Sequence, residues 1–185
     1  QLVARGQTDE AVREYLELAA IHYRLAELDL ARKTYTTALR LVQQGNANRD
    51  WNAHIMQRMA DIDLQRLDWK QALRIYEQLR SITPDDESTR RQLVELNLRM
   101  AQPDKAMGEL ENYITYLEGQ GKNDLAISFI EEVMQEHPDQ PILKRALAAR
   151  LHYAGRTDEA ISILDVLGEN LMQTGDKHGA QEVIN

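Results

Sequence analysis

Seven alanines recur along this chain, at Ala11, Ala31, Ala72, Ala106, Ala126, Ala160 and Ala180. Four residues after each stands a bulky apolar side chain: Tyr15, Tyr35, Tyr76, Leu110, Ile130, Leu164 and Ile184. Seven residues after come Leu18, Ala38, Leu79, Tyr113, Val133 and Leu167. Offsets of 0, 4 and 7 lie on one side of an α-helix. A residue without a γ-carbon lets a neighbouring helix approach closely, and the large residue one turn on fills the space beside it. The pattern therefore predicts helices that dock on copies of themselves.

The segments between the helices repeat as well. Five residues before the alanines stand Gly6, Ala26, Leu67, Ala101, Gly121, Gly155 and Gly175, six of which are Gly or Ala. Small residues there suit a tight turn between helices. Gly6 and Gly155 open nearly the same phrase, GQTDEAVREYL and GRTDEAISIL. In both, a threonine hydroxyl is placed to cap free amides (Thr8, Thr157), and two acids follow in the positive first turn. Pro103 fits an early helical position, and Pro84 and Pro138 mark helix ends.

The alanine gaps run 20, 41, 34, 20, 34 and 20 residues. A gap of 34 holds a helix pair, whereas 20 holds one helix and a turn. A helix that ends one unit must then begin the next, a double part assigned to segments 8–25, 103–119 and 157–174. The gap of 41 contains seven extra residues near Gln43–Asp50, read as an extended helix end and a solvated loop, with a binding loop as the alternative. Ten helices are expected, at roughly 8–25, 28–44, 50–66, 69–82, 86–101, 103–119, 123–136, 140–153, 157–173 and 177–185, with no strand.

Composition narrows the function classes. The chain has 185 residues and a formal net charge of −8, so it lacks the overall basic balance of a phosphate-wrapping nucleic-acid binder. It has no cysteine, which removes disulfides, thiolate catalysis and cysteine-ligated zinc. No apolar stretch approaches the roughly 20 residues of a membrane span. The chain opens and closes within helical patterns and reads as a fragment of a longer protein. A cytoplasmic location is the expectation.

The 34-residue period resembles the tetratricopeptide repeat, a helix–turn–helix unit. The clearest copy runs from Ala53 to Asp86, where Met59-Ala60 stand for the family's Leu-Gly pair and Leu67, Trp69, Ala72, Tyr76 and Pro84 match its second half. Leu93-Val94, Ala101, Ala106 and Leu110 follow in the next unit. Leu147-Ala148, Gly155, Ala160 and Leu164 follow further on, and Leu167-Gly168, Gly175 and Ala180 give a truncated last copy. The resemblance implies one array over residues 1–185, an all-α, right-handed superhelical solenoid of stacked antiparallel helix pairs.

Nothing in the sequence reads as a reaction centre. The five histidines (His22, His54, His137, His152, His178) form no ligand-spaced pair on one helix, so neither metal nor cofactor is expected. His22 is read as a packed, hydrogen-bonded residue. Asp61, Asp63, Glu131, Glu132 and Glu136 are read as solvated helix faces. The glycines sit at turns rather than in a phosphate loop, and no Gly-x-Ser-x-Gly elbow occurs. Tyr15, Tyr35, Tyr76, Tyr113 and Trp69 are read as filler between helices. Tyr23, Trp51, Tyr116 and Tyr153 are left as candidates for partner contact.

The resemblance also implies where a partner would sit, because the first helices of successive units line a groove. That face selects His54, Gln57, Asp61 and Gln65, then Ser88, Arg91, Glu95 and Arg99, then Arg145 and His152 (with Ala149 between). Arg91 and Arg99, beside Gln57 and Gln65, read either as a strip suited to an acidic peptide or a carboxylate or as ordinary solvated groove residues paired with Asp61 and Glu95. Chaperone-binding members of the family use a Lys and Asn set, but Gln57, Asp61, Arg91 and Glu95 stand in its place, so that clamp is not reproduced. The expected function is a non-catalytic scaffold binding a peptide or protein segment, with no nucleic acid and no membrane. Exposed array ends give a route to self-association. The alternatives are a regulatory or sensor repeat domain of a larger enzyme or transcription regulator, and a helical-repeat nucleic-acid binder.

Overall fold

The computed structural model describes residues 2–44 and 50–184. Among these residues there are ten helices and no strand. They are α1 (Leu2–Arg24), α2 (Leu28–Gln44), α3 (Asp50–Gln65), α4 (Trp69–Ile82), α5 (Glu87–Arg99), α6 (Pro103–Glu118), α7 (Asn123–Glu136), α8 (Pro141–Tyr153), α9 (Thr157–Gln173) and α10 (Lys177–Ile184). The chain divides into two compact units, Gln1–Leu96 and Asn97–Asn185, with the division inside α5. The centre of the seven-residue insertion, residues 45–49, lies outside the described residues.

One turn is used six times. Ala26, Leu67, Ala101, Gly121, Gly155 and Gly175 take left-handed φ values of 60°, 58°, 54°, 73°, 78° and 84°. In each case the next residue's N–H reaches back five residues to a carbonyl, as in Glu27 to His22 at 2.9 Å and Arg156 to Leu151 at 2.8 Å. That bond closes the outgoing helix by satisfying a terminal carbonyl. The same residue then starts the next helix. Its carbonyl accepts from the repeated alanine four residues on, as in Glu27 to Ala31 at 2.9 Å and Asp176 to Ala180 at 3.0 Å. The alanine thus donates in the opening hydrogen bond of its helix as well as allowing close packing. α6 carries this turn at both ends, as does α9, which is the double part expected of them.

The phrase at Gly6 departs from this scheme. α1 runs from Leu2 without a break, so Gly6 is helical and Thr8-Asp9-Glu10 lie inside the helix rather than at its start. The physical reason is upstream: helix formers precede Gly6, and continuing through one glycine costs only about 1 kcal/mol. Thr157 also does not cap. It is the first residue of α9, and no side-chain cap bond forms at Arg156 before it. Arg156 instead grips Glu159 through both carboxylate oxygens at 2.7 Å. Asp68 does cap α4, accepting from the Gln71 N–H at 3.2 Å, and Asp86 accepts from the Thr89 N–H at 3.0 Å at the start of α5.

In the first unit the apolar faces of α1 to α5 share one core. Ala31, Tyr35 and Ala38 of α2 meet Ile55, Met59 and Ile62 of α3, then Ala72, Tyr76 and Leu79 of α4, with Leu93 and Leu96 from α5. A buried ion pair crosses the α2–α3 contact. Arg32 donates from Nε to Asp63 Oδ1 at 2.9 Å and from Nη2 to Oδ2 at 3.0 Å. Asp63 is therefore not on a solvated face: its side chain is 3% exposed. Arg90, also buried, donates twice to the Pro84 carbonyl at 3.0 and 2.9 Å and stiffens the α4–α5 loop.

In the second unit Tyr113 of α6 meets Phe129 of α7 edge-on, with ring centres 4.8 Å apart. Ile114, Ile130, Val133, Leu143 and Leu147 are buried in the same unit, and Leu167, Leu171 and Ala180 join α9 to α10. Six of the seven repeat alanines are buried; Ala11, in the divergent first copy, is half-buried. Tyr15 and Leu18 follow Ala11 and are exposed, so Tyr15 is not the filler its spacing implied.

Candidate functional site

The first unit holds a cavity of about 270 Å³ between α1, α2 and α3. Leu16, Ala20, Tyr23 and Arg24 contribute from α1, Tyr35 from α2, and His54, Arg58 and Asp61 from α3. The helices that build it are fixed by the shared core and by the Arg32–Asp63 pair, so the lining side chains stand on rigid backbone. A second hollow meets it at His54 and is bounded by Gln57, Leu79, Thr83, Asp85, Asp86 and Glu87.

A hydrogen-bonded row runs along α3 between these spaces. Gln57 Nε2 donates to the Tyr76 hydroxyl at 3.3 Å and to Asp61 Oδ1 at 3.4 Å. Arg58 Nη1 stands 3.8 Å from Asp61 Oδ2. Gln65 Nε2 donates to the Tyr23 hydroxyl and so ties α3 to α1. Burial pushes the Asp61 carboxyl up, against the hydrogen bond from Gln57 and the Arg58 charge, which favour its ionised form. Burial and then the Arg58 charge push His54 down, so its ring is neutral at pH 7. Burial raises the Tyr35 and Tyr76 phenols, which stay protonated. With His54 neutral, two guanidiniums in the cavity lining face one carboxylate.

The expected groove residues fall into three groups. His54, Gln57, Asp61 and Gln65 form the α3 row just described. Ser88, Arg91 and Glu95 lie on α5. Arg91 is paired with Glu87 at 2.8 Å, Glu95 is buried and accepts from Gln92 at 3.1 Å, and Ser88 is exposed. Arg99 closes α5 and is exposed. Arg145 and His152 are on α8 in the second unit, where Arg145 reaches the Gly179 carbonyl at 3.4 Å and His152 lies 6.1 Å from the Tyr153 ring.

Arg24, Arg58, Leu16 and Ala20 were not among the expected residues. The α1 set would have come from carrying the first-helix stripe back into the divergent first copy. Arg58 lies four residues after His54 and three before Asp61, hence on the same helix face. Of the four aromatic candidates for partner contact, Tyr23 and Trp51 are half-buried, Tyr116 stacks on Tyr113 at 6.1 Å, and Tyr153 stands 82% exposed. Among the described residues no group of three or more His, Asp or Glu side chains is placed to hold a metal ion. Among the described residues, too, no helix is long and apolar enough to cross a membrane.

Comparison with known proteins bears on this geometry. The tetratricopeptide repeat family model matches residues 10–85. No curated protein matches the sequence. Among solved structures, the chain is similar to BtubC (BKLC) from P. vanneervenii, with a TM-score of 0.55 at 14% identity over 98% of this chain and 87% of that one. It is also similar to MamA, with a TM-score of 0.50 at 13% identity over 93% of this chain and 96% of that one. At such identities the likeness is one of fold. Residues 10–85 match the tetratricopeptide repeat family, and the ten helices among the described residues have the all-α helical-repeat fold.

Proposed function

We propose that the chain is a non-catalytic interaction scaffold and that its first unit seats a segment of a partner polypeptide in the α1–α2–α3 cavity. Tetratricopeptide repeats are generally scaffolds of this kind. The observation that carries the reading is the cavity itself: two arginines, one carboxylate and a short apolar wall, all on fixed helices. An acidic side chain or a terminal carboxylate of the segment pairs with Arg58 and Arg24, and an apolar neighbour rests on Leu16 and Ala20. Gln57 and Gln65 are oriented by the two tyrosines they bond and present fixed amides beside the segment. This places the cationic role on Arg24 and Arg58, since Arg91 is already paired with Glu87.

Panning a displayed peptide library against the full chain tests it. Peptides carrying carboxylates should be enriched, and Arg24→Glu with Arg58→Glu should weaken them at least tenfold. Arg91→Glu with Arg99→Glu should weaken them less. Enrichment that survives the Arg24 and Arg58 changes undiminished would show that this cavity is not the site.

A further inference from the structure

The second unit contains a cavity of its own, about 330 Å³, lined by Glu118 of α6, Asn123 and Ile127 of α7, and Arg150, Tyr153 and Ala154 at the end of α8. Its lining carries one guanidinium and one carboxylate, and Glu111, a second partner of Arg150, adds an acid beside the lining. Arg150 is mostly buried and holds two carboxylates at once: Nη2 bonds Glu111, and Nε stands 2.9 Å from Glu118 Oε1. Both glutamates remain more than a third exposed. One guanidinium therefore faces two acids, and one negative charge is left over.

The neighbouring flank repeats the imbalance. Arg156 pairs with Glu159 and also feels Glu131 and Asp124. Even with the exposed Lys122 beside Asn123 counted in, the named charges of α6, α7, the end of α8 and the start of α9 are five carboxylates against three cations. Tyr153 borders the cavity with its ring almost wholly exposed, although a phenol ring at a helix end gains by being covered.

We infer that this cavity is a receptor for a cationic side chain, an arginine of a partner segment, which lies on the Tyr153 ring and pairs with Glu118. The chemistry favours arginine. A planar guanidinium stacks on an aromatic face and bonds a carboxylate through two N–H groups, where an ammonium acts as a point charge. Asn123 lines the same cavity and supplies an amide oxygen for a remaining N–H. The site lies wholly within the second unit and does not depend on the reading of the first.

The test is an NMR titration of the full chain with a blocked Ala-Arg-Ala peptide and its citrulline twin, which keeps the shape and loses the charge. The arginine peptide should shift the amides of Glu118, Asn123, Tyr153 and Ala154 and bind at least fivefold more tightly than the citrulline peptide. Tyr153→Ala removes an exposed ring and leaves the fold intact, and it should weaken binding about fivefold. Glu118→Gln should weaken it similarly, while Arg58→Glu in the first unit leaves it unchanged. Equal affinity for the two peptides, shifts spread over acidic surfaces in general, or binding unaltered in both Tyr153→Ala and Glu118→Gln would each overturn the inference.

Discussion

Each unit pins neighbouring helices with an arginine, but the two arginines are balanced differently. In the first unit Arg32 meets one carboxylate, Asp63, which is almost fully buried, and the charge closes. In the second Arg150 meets Glu111 and Glu118, both partly in water, and the charge does not close. The buried one-to-one pair leaves the first unit's cavity to be set by Arg24, Arg58 and Asp61. Of the one-to-two cluster, Arg150 and Glu118 form part of the second unit's cavity wall. A structural ion pair thus serves as lining only where it is left incomplete and exposed.

The largest expected effect comes from breaking the closed pair. Asp63→Ala leaves Arg32 buried without its counter-charge and should lower stability by about 3 kcal/mol, read as a fall in the urea midpoint. Glu111→Gln, the matching change in the second unit, should cost no more than about 1 kcal/mol, because that pair is screened by solvent. Similar losses from the two changes would mean that the pairs do not differ as described.

The turns give a smaller contrast. The first three left-handed turns in the chain use Ala26, Leu67 and Ala101, and the last three use glycine. A side chain in that conformation is disfavoured by roughly 1–2 kcal/mol. Nothing lies within 4 Å of a Cβ added at Gly155, so Gly155→Ala should cost about 1 kcal/mol from conformation alone. Leu67 is 72% exposed at φ 58°, so Leu67→Gly should gain stability. The extra freedom of glycine in the unfolded chain trims that gain to about 0.5 kcal/mol.

The smallest effect is electrostatic. His54 is held below its ordinary value, so between that value and its lower folded one the unfolded chain binds the extra proton. Stability should therefore decline modestly as pH falls through about 6.5 and level off once the folded form is protonated as well. Denaturation curves between pH 5 and 8 should show this slope, and His54→Gln should flatten it.

The helices were legible because their signals are local. An alanine, a large residue four later and a turn residue five earlier specify a helix start and its buried face, and nine of the ten helices begin within one residue of their expected positions. The exception, α1, failed because the same GQTDEA wording also suits a helix interior. Whether Gly6 turns depends on what precedes it. Tyr15 and Leu18 are exposed for a related reason: their spacing marks a face for burial, and only the packed structure decides whether another helix covers it.

The candidate sites were legible only in part. The α3 stripe of His54, Gln57, Asp61 and Gln65 follows from helical spacing. Asp63 was misread because a carboxylate's burial depends on a guanidinium 31 residues away. The Arg150 cluster draws on residues 32 and 39 positions apart. What the sequence determined by itself is the run of helices and turns, since each is closed by bonds between residues at most five apart. The tertiary structure alone decided which charges are buried, balanced or left facing a cavity, because those energies depend on dielectric surroundings and on partners that come together only when helices dock.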